Sequence, residues 1–185
     1  MPILEIPDPS LVVLIGAAGA GKTTFAARHF GPSEILSSDR YRALIGGDED
    51  NQAVTRAAFG RLHRDLARRL ADGQLTVVDA TNVEAAARRS LLERSRAAGL
   101  GAIAIVLDLP AAVVLARNAG RAGRVVDQAV VHRHLGRLRA TIDRPGSGGH
   151  AAMLLAEGFA SAVVLHDPAE VDSASIVRVA RRQPA

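Results

Sequence analysis

The feature that most constrains this chain is a glycine-rich segment near its N-terminus that contains its only lysine. Before it stands Leu11–Ile15, a short apolar and largely β-branched run that predicts a buried strand. After it stands Phe25–Phe30, which predicts the continuation of a helix. The segment reads Gly16-Ala17-Ala18-Gly19-Ala20-Gly21-Lys22-Thr23-Thr24 and fits G-x-x-x-x-G-K-[ST] at every fixed position.

The spacing of this pattern has a chemical reason. Glycines allow the loop to wrap closely and to adopt positive φ, so its backbone N–H groups turn inward, and the following helix adds its positive end. Lys22 then reaches the β- and γ-phosphates of a nucleotide, and the Thr23 hydroxyl ligates Mg²⁺. An alanine- and glycine-rich turn that fits by chance would lack the flanking strand and helix. The sequence therefore predicts a loop that binds ATP with Mg²⁺.

Hydrophobic patterns along the rest of the chain predict strands that alternate with helices, which is typical of an α/β fold with a parallel sheet and helices on both faces. We expect one domain over residues 1–185. The predicted strands are Leu11–Ile15, Glu34–Leu36, Leu75–Val78, Ala102–Leu107 and Ala162–Leu165. The predicted helices are Phe25–Phe30, Gln52–Asp72, Glu84–Ala98, Ala111–Asn118, Asp127–Ile142, Ala151–Glu157 and Ala169–Ala180, with a loop at Tyr41–Asn51 and a flexible segment at Pro145–Gly149.

Composition excludes several classes of protein. No apolar run approaches the ~18–20 residues of a membrane span, and the absence of cysteine excludes disulfides, thiolate metal sites and cysteine nucleophiles. A cytoplasmic location follows from these features. The net charge of +4 has two readings: arginine bias with an ordinary basic surface, or a polyanionic partner whose phosphates pair with arginine.

Candidate catalytic residues follow the second predicted strand, at the edge of the sheet where such folds bind ligands. Asp39 at this position can face the γ-phosphate and accept a proton from the acceptor, and Arg42 can bind a phosphate on that acceptor. The alternative is that Asp39 caps a helix and Arg42 is a solvated charge.

The third predicted strand delivers another acid in Val77-Val78-Asp79-Ala80-Thr81-Asn82. Asp79 can hold a Mg²⁺-bound water, as the acid of a Walker-B strand does, or it can cap a turn. Asn82 precedes the predicted helix at Glu84, and we expect it to cap that helix.

Three arginines lie between the predicted helices Ala111–Asn118 and Asp127–Ile142. Arg117, Arg121 and Arg124 stand beside Gly120 and Gly123, so the segment combines mobility with affinity for phosphate. This combination predicts a lid, about residues 117–142, that closes over the nucleotide and stabilises the transferring charge. A basic helix end favoured by the helix dipole is the alternative.

Together these segments resemble a known family. GAAGAGKTTFA, ILSSDRYRALIGGDEDNQ, LTVVDATN and ARNAGRAGRVVDQAVVHRHL are similar to the kinase module of the bacterial polynucleotide kinase-phosphatase, an RNA end-healing and sealing enzyme. The similarity runs from about Leu11 to Val171. It implies an adenylate-kinase-like P-loop fold and transfer of the γ-phosphate of ATP to the 5′-hydroxyl of RNA or DNA.

The resemblance also implies roles for individual residues. Asp39 would be the general base and Arg42 would coordinate the acceptor, while Lys22 and Thr23 would handle phosphates and metal. Arg117 and Arg124 would bind the nucleotide phosphates from the lid, with Arg121 in the same basic group. The family's enzyme continues into phosphatase and ligase modules, so this chain is expected to be either an excised module or a stand-alone relative.

Two alternative functions stay open from the sequence. A P-loop kinase can act on a small molecule or an aminoacyl-tRNA, because the fold does not fix the acceptor. A nucleotide-dependent binding module without turnover is the other alternative, although such a module has no need of an acid on the acceptor side.

Overall fold

The computed structural model of the protein describes residues 1–46, 52–121, 125–142 and 151–180. The strands are β1 Ile3–Asp8, β2 Leu11–Ile15, β3 Ile35–Ser37, β4 Thr76–Asp79, β5 Ala102–Leu107, β6 Ser161–Leu165 and β7 Ser175–Ala180. The helices are α1 Lys22–His29, α2 Ser38–Ile45, α3 Gln52–Ala71, α4 Ala85–Ala97, α5 Ala111–Ala119, α6 Gln128–Ile142, α7 Ala152–Glu157 and α8 Pro168–Ser173.

Five of the strands form a parallel sheet in the order β3-β4-β2-β5-β6, as the alternating pattern predicts. Strand β2 lies in the centre, and all five of its residues are buried because both faces of the sheet are covered. Its alternate side chains enter two separate cores. Leu11, Val13 and Ile15 pack with helices α3 and α4 on one face, whereas Val12 and Leu14 pack with α1 and α5 on the other.

This arrangement confirms the α/β fold class, and it places the start of the glycine-rich loop at the carboxyl end of the central strand. The carboxyl ends of β3 and β4 lie at the same edge, since all three strands are parallel. The edge therefore collects the segments that the sequence singled out after three different strands.

Two predicted elements were wrong. Residues Ser38–Ile45 form helix α2, whereas the sequence predicted a loop from Tyr41. Tyr41 is buried against the core, and its hydroxyl donates to Asp65 Oδ2 of α3 at 2.6 Å, so a contact distant in sequence stabilises this helix.

The C-terminal segment, predicted as one helix over Ala169–Ala180, is the short helix α8 followed by strand β7. Strand β7 pairs in parallel with β1, a strand that the sequence analysis missed. Leu4 and Ile6 of β1 are buried at 1% and 0% exposure, and this alternation of buried with exposed residues was the available signal.

Several predicted features lie outside the described residues. They are Arg124, the acidic part of the predicted Tyr41–Asn51 loop, and the Pro145–Gly149 segment. Within the described residues, no helix combines the length and the apolar character needed to cross a membrane.

Candidate phosphate-binding cleft

The glycine-rich loop requires glycine at two positions for different reasons. Gly21 has φ +97°, a left-handed conformation that L side chains rarely adopt, and it stands at the N-terminus of α1. Gly19 has φ +89° and also lies against α5, because an added Cβ would come within 2.5 Å of the Val114 carbonyl oxygen. The loop is thus held between the central strand and two helices, as a cradle for phosphate requires.

Lys22 is the first residue of α1, and its side chain is buried beneath the loop. The Nζ atom donates to the carbonyl oxygens of Gly16 at 2.9 Å and Ala17 at 2.8 Å. The pKa of Lys22 is lowered to about 8, chiefly because burial disfavours the charged form; the carboxylates of Asp79 and Asp39 act against this shift, and the cation Arg121 adds to it. The lysine is therefore an incompletely solvated cation beside the loop, and a phosphate would relieve that cost.

Thr23 and Asp79 meet across the cleft from two different elements. The Thr23 hydroxyl donates to Asp79 Oδ2 at 2.8 Å, and Asp79 is buried at the end of β4. Burial raises the pKa of Asp79, whereas the hydrogen bond from Thr23 and the charge of Lys22 lower it. Adjacent hydroxyl and carboxylate oxygens are hard ligands of the kind Mg²⁺ prefers, so the donor set fits this ion.

The loop after β4 is fixed by two residues whose roles the sequence analysis missed. Asn82 does not cap α4, whose N-cap is Glu84. Instead Asn82 is buried with φ +50°, and its Nδ2 donates to the Leu14 carbonyl of β2 at 2.8 Å. Arg88 of α4 donates to the carbonyl oxygens of Asn82 at 3.0 Å and Val83 at 2.8 Å.

Arg88 is one of the most deeply buried side chains in the described part of the chain, at 1% exposure. Its Nε and Nη2 form a bidentate pair with Glu157 of α7 at 2.7 and 2.6 Å. The arginine thereby connects α4, α7 and the loop behind Asp79. An arginine in an alanine-rich helix gave no sequence signal of this role.

The predicted acceptor residues Asp39 and Arg42 lie one turn apart on α2. Arg42 Nη1 donates to Asp39 Oδ1 at 2.5 Å, and the Asp39 side chain stays 67% exposed. Asp39 lies in the first turn of α2, whose N-cap is Ser37, so it does not occupy the cap position. The Arg42 guanidinium lies over the ring of Phe59 in α3, with 5.7 Å between its Cζ and the ring centroid.

The described part of the predicted lid lies beside the glycine-rich loop. Arg117 is close enough to Gly21 that an added Cβ there would lie 3.4 Å from its Nη1. The buried Asn118 closes the segment behind it: its Nδ2 donates to the Val126 carbonyl at 2.7 Å, and its Oδ1 accepts from the Val126 N–H at 3.1 Å. Asn118 therefore ties α5 to the residues that lead into α6, a role that sequence alone did not reveal.

The glycine-rich loop, the Asp39–Arg42 pair and the described lid arginines line one cleft of about 720 Å³. Three residues of the loop that were predicted to bind the nucleotide, Gly16, Ala17 and Ala20, are buried and do not line the cleft. Val171 and Asp172 of α8, which were not predicted as site residues, also line the cleft. Arg28 of α1 donates a hydrogen bond to Asp172 Oδ1 at 3.3 Å. The predicted residues that line the cleft are Ala18, Gly19, Gly21, Lys22, Thr23, Thr24, Asp39, Arg42, Asp79, Arg117 and Arg121.

Comparisons with known proteins identify solved structures of similar fold. A structure containing the Pnkp1/Rnl/Hen1 RNA repair complex has a TM-score of 0.61 and 23% identity, over 75% of this chain but only 46% of that one. A sugar kinase from Janibacter sp. HTCC2649 has a TM-score of 0.53 and 23% identity, over 85% of each chain. A Chloroflexus aurantiacus protein provisionally assigned as a kinase has a TM-score of 0.59 and 16% identity, over 87% of this chain and 86% of that one.

At these identities the structural neighbours establish the fold alone. No curated protein sequence matches the chain. A family model described as "AAA domain" matches residues 11–145, which is most of the chain. The protein therefore belongs to this AAA domain family and has the parallel-sheet P-loop kinase fold.

Proposed function

We propose that this protein is an ATP-dependent kinase that transfers the γ-phosphate to the 5′-hydroxyl end of RNA or DNA. The observation that carries the proposal is that one cleft is lined by groups suited to both halves of such a reaction. The phosphate loop with Lys22 forms one side, and the Asp39–Arg42 pair forms the other. A module that only binds a nucleotide has no need of the second half.

The proposed donor half consists of cations and N–H groups directed at phosphate. Lys22 and the loop amides would bind the β- and γ-phosphates, and Arg117 and Arg121 would face them from the lid, about residues 117–142, together with Arg124. Thr23 and Asp79 would hold Mg²⁺, Asp79 through a water, and the ion would neutralise phosphate charge. Val126 and Val171, which line the same cleft, supply apolar surface beside these groups.

On the acceptor half we propose that Asp39 accepts the proton of the 5′-hydroxyl as its oxygen bonds to the γ-phosphorus. The bond from that phosphorus to the bridging oxygen breaks, and ADP carries away the released charge. Asp39 suits this role because it is exposed to the cleft in the first turn of α2, directly after β3, the strand that pairs with β4. Arg42 would bind the 3′-phosphate of the same nucleoside.

Two further observations support a nucleic-acid acceptor in particular. The chain is basic, and four of its segments resemble the kinase module of the bacterial polynucleotide kinase-phosphatase. Phosphate contacts position a strand without reading its bases, so we expect little sequence preference. We further propose that the activity serves nucleic-acid end repair, alongside phosphatase and ligase modules in the same or another chain.

An acceptor panel with γ-labelled ATP tests the proposal. A 5′-hydroxyl oligonucleotide and a nucleoside 3′-phosphate should both be phosphorylated, and the free nucleoside should be much poorer. Arg42→Ala should reduce this difference, because it should lower transfer to the phosphate-bearing acceptors much more than transfer to the free nucleoside. Arg40→Ala is the matched control, because Arg40 is exposed on the same helix and does not line the cleft.

The outcome separates the competing functions. Phosphorylation of free nucleosides or sugars as efficiently as oligonucleotides, with no selective effect of Arg42→Ala, would refute the polynucleotide acceptor and leave a small-molecule kinase. An absence of transfer to every acceptor, with ATP bound, would favour the binding module.

A further inference from the structure

Phe59 is a cleft residue to which neither the donor half nor the acceptor half above gives a role. It lies on α3, between the buried Ala58 and Leu62, but is itself only half-buried. Its ring packs against the edge of the core and also lines the cleft beside Arg42. An aromatic ring at this position can interact through its π face with a neighbouring cation.

The neighbouring cation is the side chain of Arg42. The guanidinium carbon lies 5.7 Å from the centroid of the Phe59 ring, within the range of a cation–π interaction. Arg42 Nη1 donates to Asp39, which orients the same group from a second side. Two unlike contacts thus restrict a long side chain that would otherwise lose considerable entropy when it binds an anion.

The Nε atom of Arg42 adds a third observation. It is buried and has no hydrogen-bond partner among the described residues. An unpaired buried N–H is costly unless a neighbouring group compensates it, and an aromatic face is one such group. The Arg42 side chain nevertheless keeps 18% exposure and lines the cleft, so the guanidinium stays accessible to an anion.

We propose that Phe59 is a positioning residue that holds the Arg42 guanidinium as a preformed site for the phosphate of the acceptor. Phe59 would thereby determine how strongly the protein prefers phosphate-bearing acceptors over free hydroxyl compounds. This inference rests on the proposed function, because it assumes that Arg42 binds an acceptor phosphate.

Three variants test the role of the ring. Phe59→Leu keeps an apolar side chain and removes the π face, whereas Phe59→Tyr keeps the π face. Phe30→Leu is the matched control, since Phe30 is buried in the opposite core and does not line the cleft. Calorimetric titration with a nucleoside 3′-phosphate measures binding, and initial rates with that compound and the free nucleoside measure selectivity.

Phe59→Leu should weaken the Kd and KM for the nucleoside 3′-phosphate by about 3- to 10-fold, the size expected of one partly desolvated cation–π contact. It should leave the KM for ATP unchanged and change the rate with the free nucleoside by much less than this factor. Phe59→Tyr should behave like the parent protein, and so should Phe30→Leu. In an Arg42→Ala background, Phe59→Leu should have no further effect on the same Kd.

The results also distinguish this inference from the proposed function. If the parent protein prefers the 3′-phosphate and Phe59→Leu keeps that preference, or Phe59→Tyr loses as much as Phe59→Leu, the positioning role is wrong and the kinase proposal stands. If the parent protein shows no such preference, the proposed acceptor is wrong, and the role of Phe59 fails with it.

Discussion

The ammonium group of Lys22 should make the stability of the protein depend on pH in a way that one substitution removes. Its pKa is about 8 in the folded protein and 10.5 in the unfolded chain, because burial disfavours the charged form. Between these values the unfolded state binds a proton that the folded state has released. The free energy of unfolding should therefore rise with pH across this window and fall as pH drops through it.

The magnitude follows from the two pKa values. Each unit of difference corresponds to about 1.4 kcal/mol. Below about pH 8 both states carry the proton and the folded protein bears the full cost. Between about pH 7 and about pH 9.5 most of that cost is relieved, which gives a predicted gain of about 2 kcal/mol in the free energy of unfolding.

Urea unfolding at both pH values, on the parent protein and on Lys22→Met, measures this gain. The difference between the two proteins isolates Lys22, because Tyr41, whose pKa burial raises to about 12, and the N-terminal amine are common to both. Lys22 is the only lysine, so its side-chain resonance can be followed by NMR without ambiguity. A titration midpoint near 10.5, with parallel pH dependences for the two proteins, would show that the ammonium is solvated and would refute the reasoning.

Two further predictions concern the base and the support behind the cleft. Asp39→Asn keeps the shape of the side chain and should lower turnover by ~10²–10⁴-fold with little change in ATP affinity; an equal loss of both, measured by rates and calorimetry, would assign Asp39 to the nucleotide. Glu157→Gln leaves the buried Arg88 guanidinium without its charged partner and should cost about 2–4 kcal/mol of stability in thermal and urea unfolding. Glu93→Gln, the same change at an exposed position of α4, should have an effect within about 0.5 kcal/mol, and equal losses for the two variants would contradict the role given to the Arg88–Glu157 pair.

The parts that sequence reasoning predicted correctly share a local physical cause. Short runs of apolar, largely β-branched residues become strands of the central sheet because a parallel sheet covered on both faces excludes polar side chains. The loop after β2 is constrained by its own backbone, since Gly19 and Gly21 adopt φ values that other residues rarely tolerate. In both cases the conformation of a segment is determined by the residues within it, so a local sequence pattern suffices to predict it.

The incorrect predictions had the opposite cause. Helix α2 was predicted as a loop because the contact that stabilises it, Tyr41 to Asp65, joins residues that are distant in sequence. Asn82 was predicted to cap α4, but its side chain donates a hydrogen bond to the carbonyl oxygen of Leu14 on strand β2. In each case the local signal was ambiguous, and tertiary packing decided between the alternatives.

By itself, the sequence determined the α/β class, the phosphate-binding loop and the three strand ends at which candidate site residues stand. Only the tertiary structure decided that Thr23 bonds to Asp79, that Arg88 supports the loop behind Asp79, and that Phe59 lies beneath Arg42. The physical reason is the sequence separation of the interacting residues. Backbone conformation and hydrophobic periodicity depend on residues that are neighbours in sequence, whereas a cleft is formed by side chains from separate elements. Their meeting depends on the order and packing of those elements in the sheet, which no local pattern encodes.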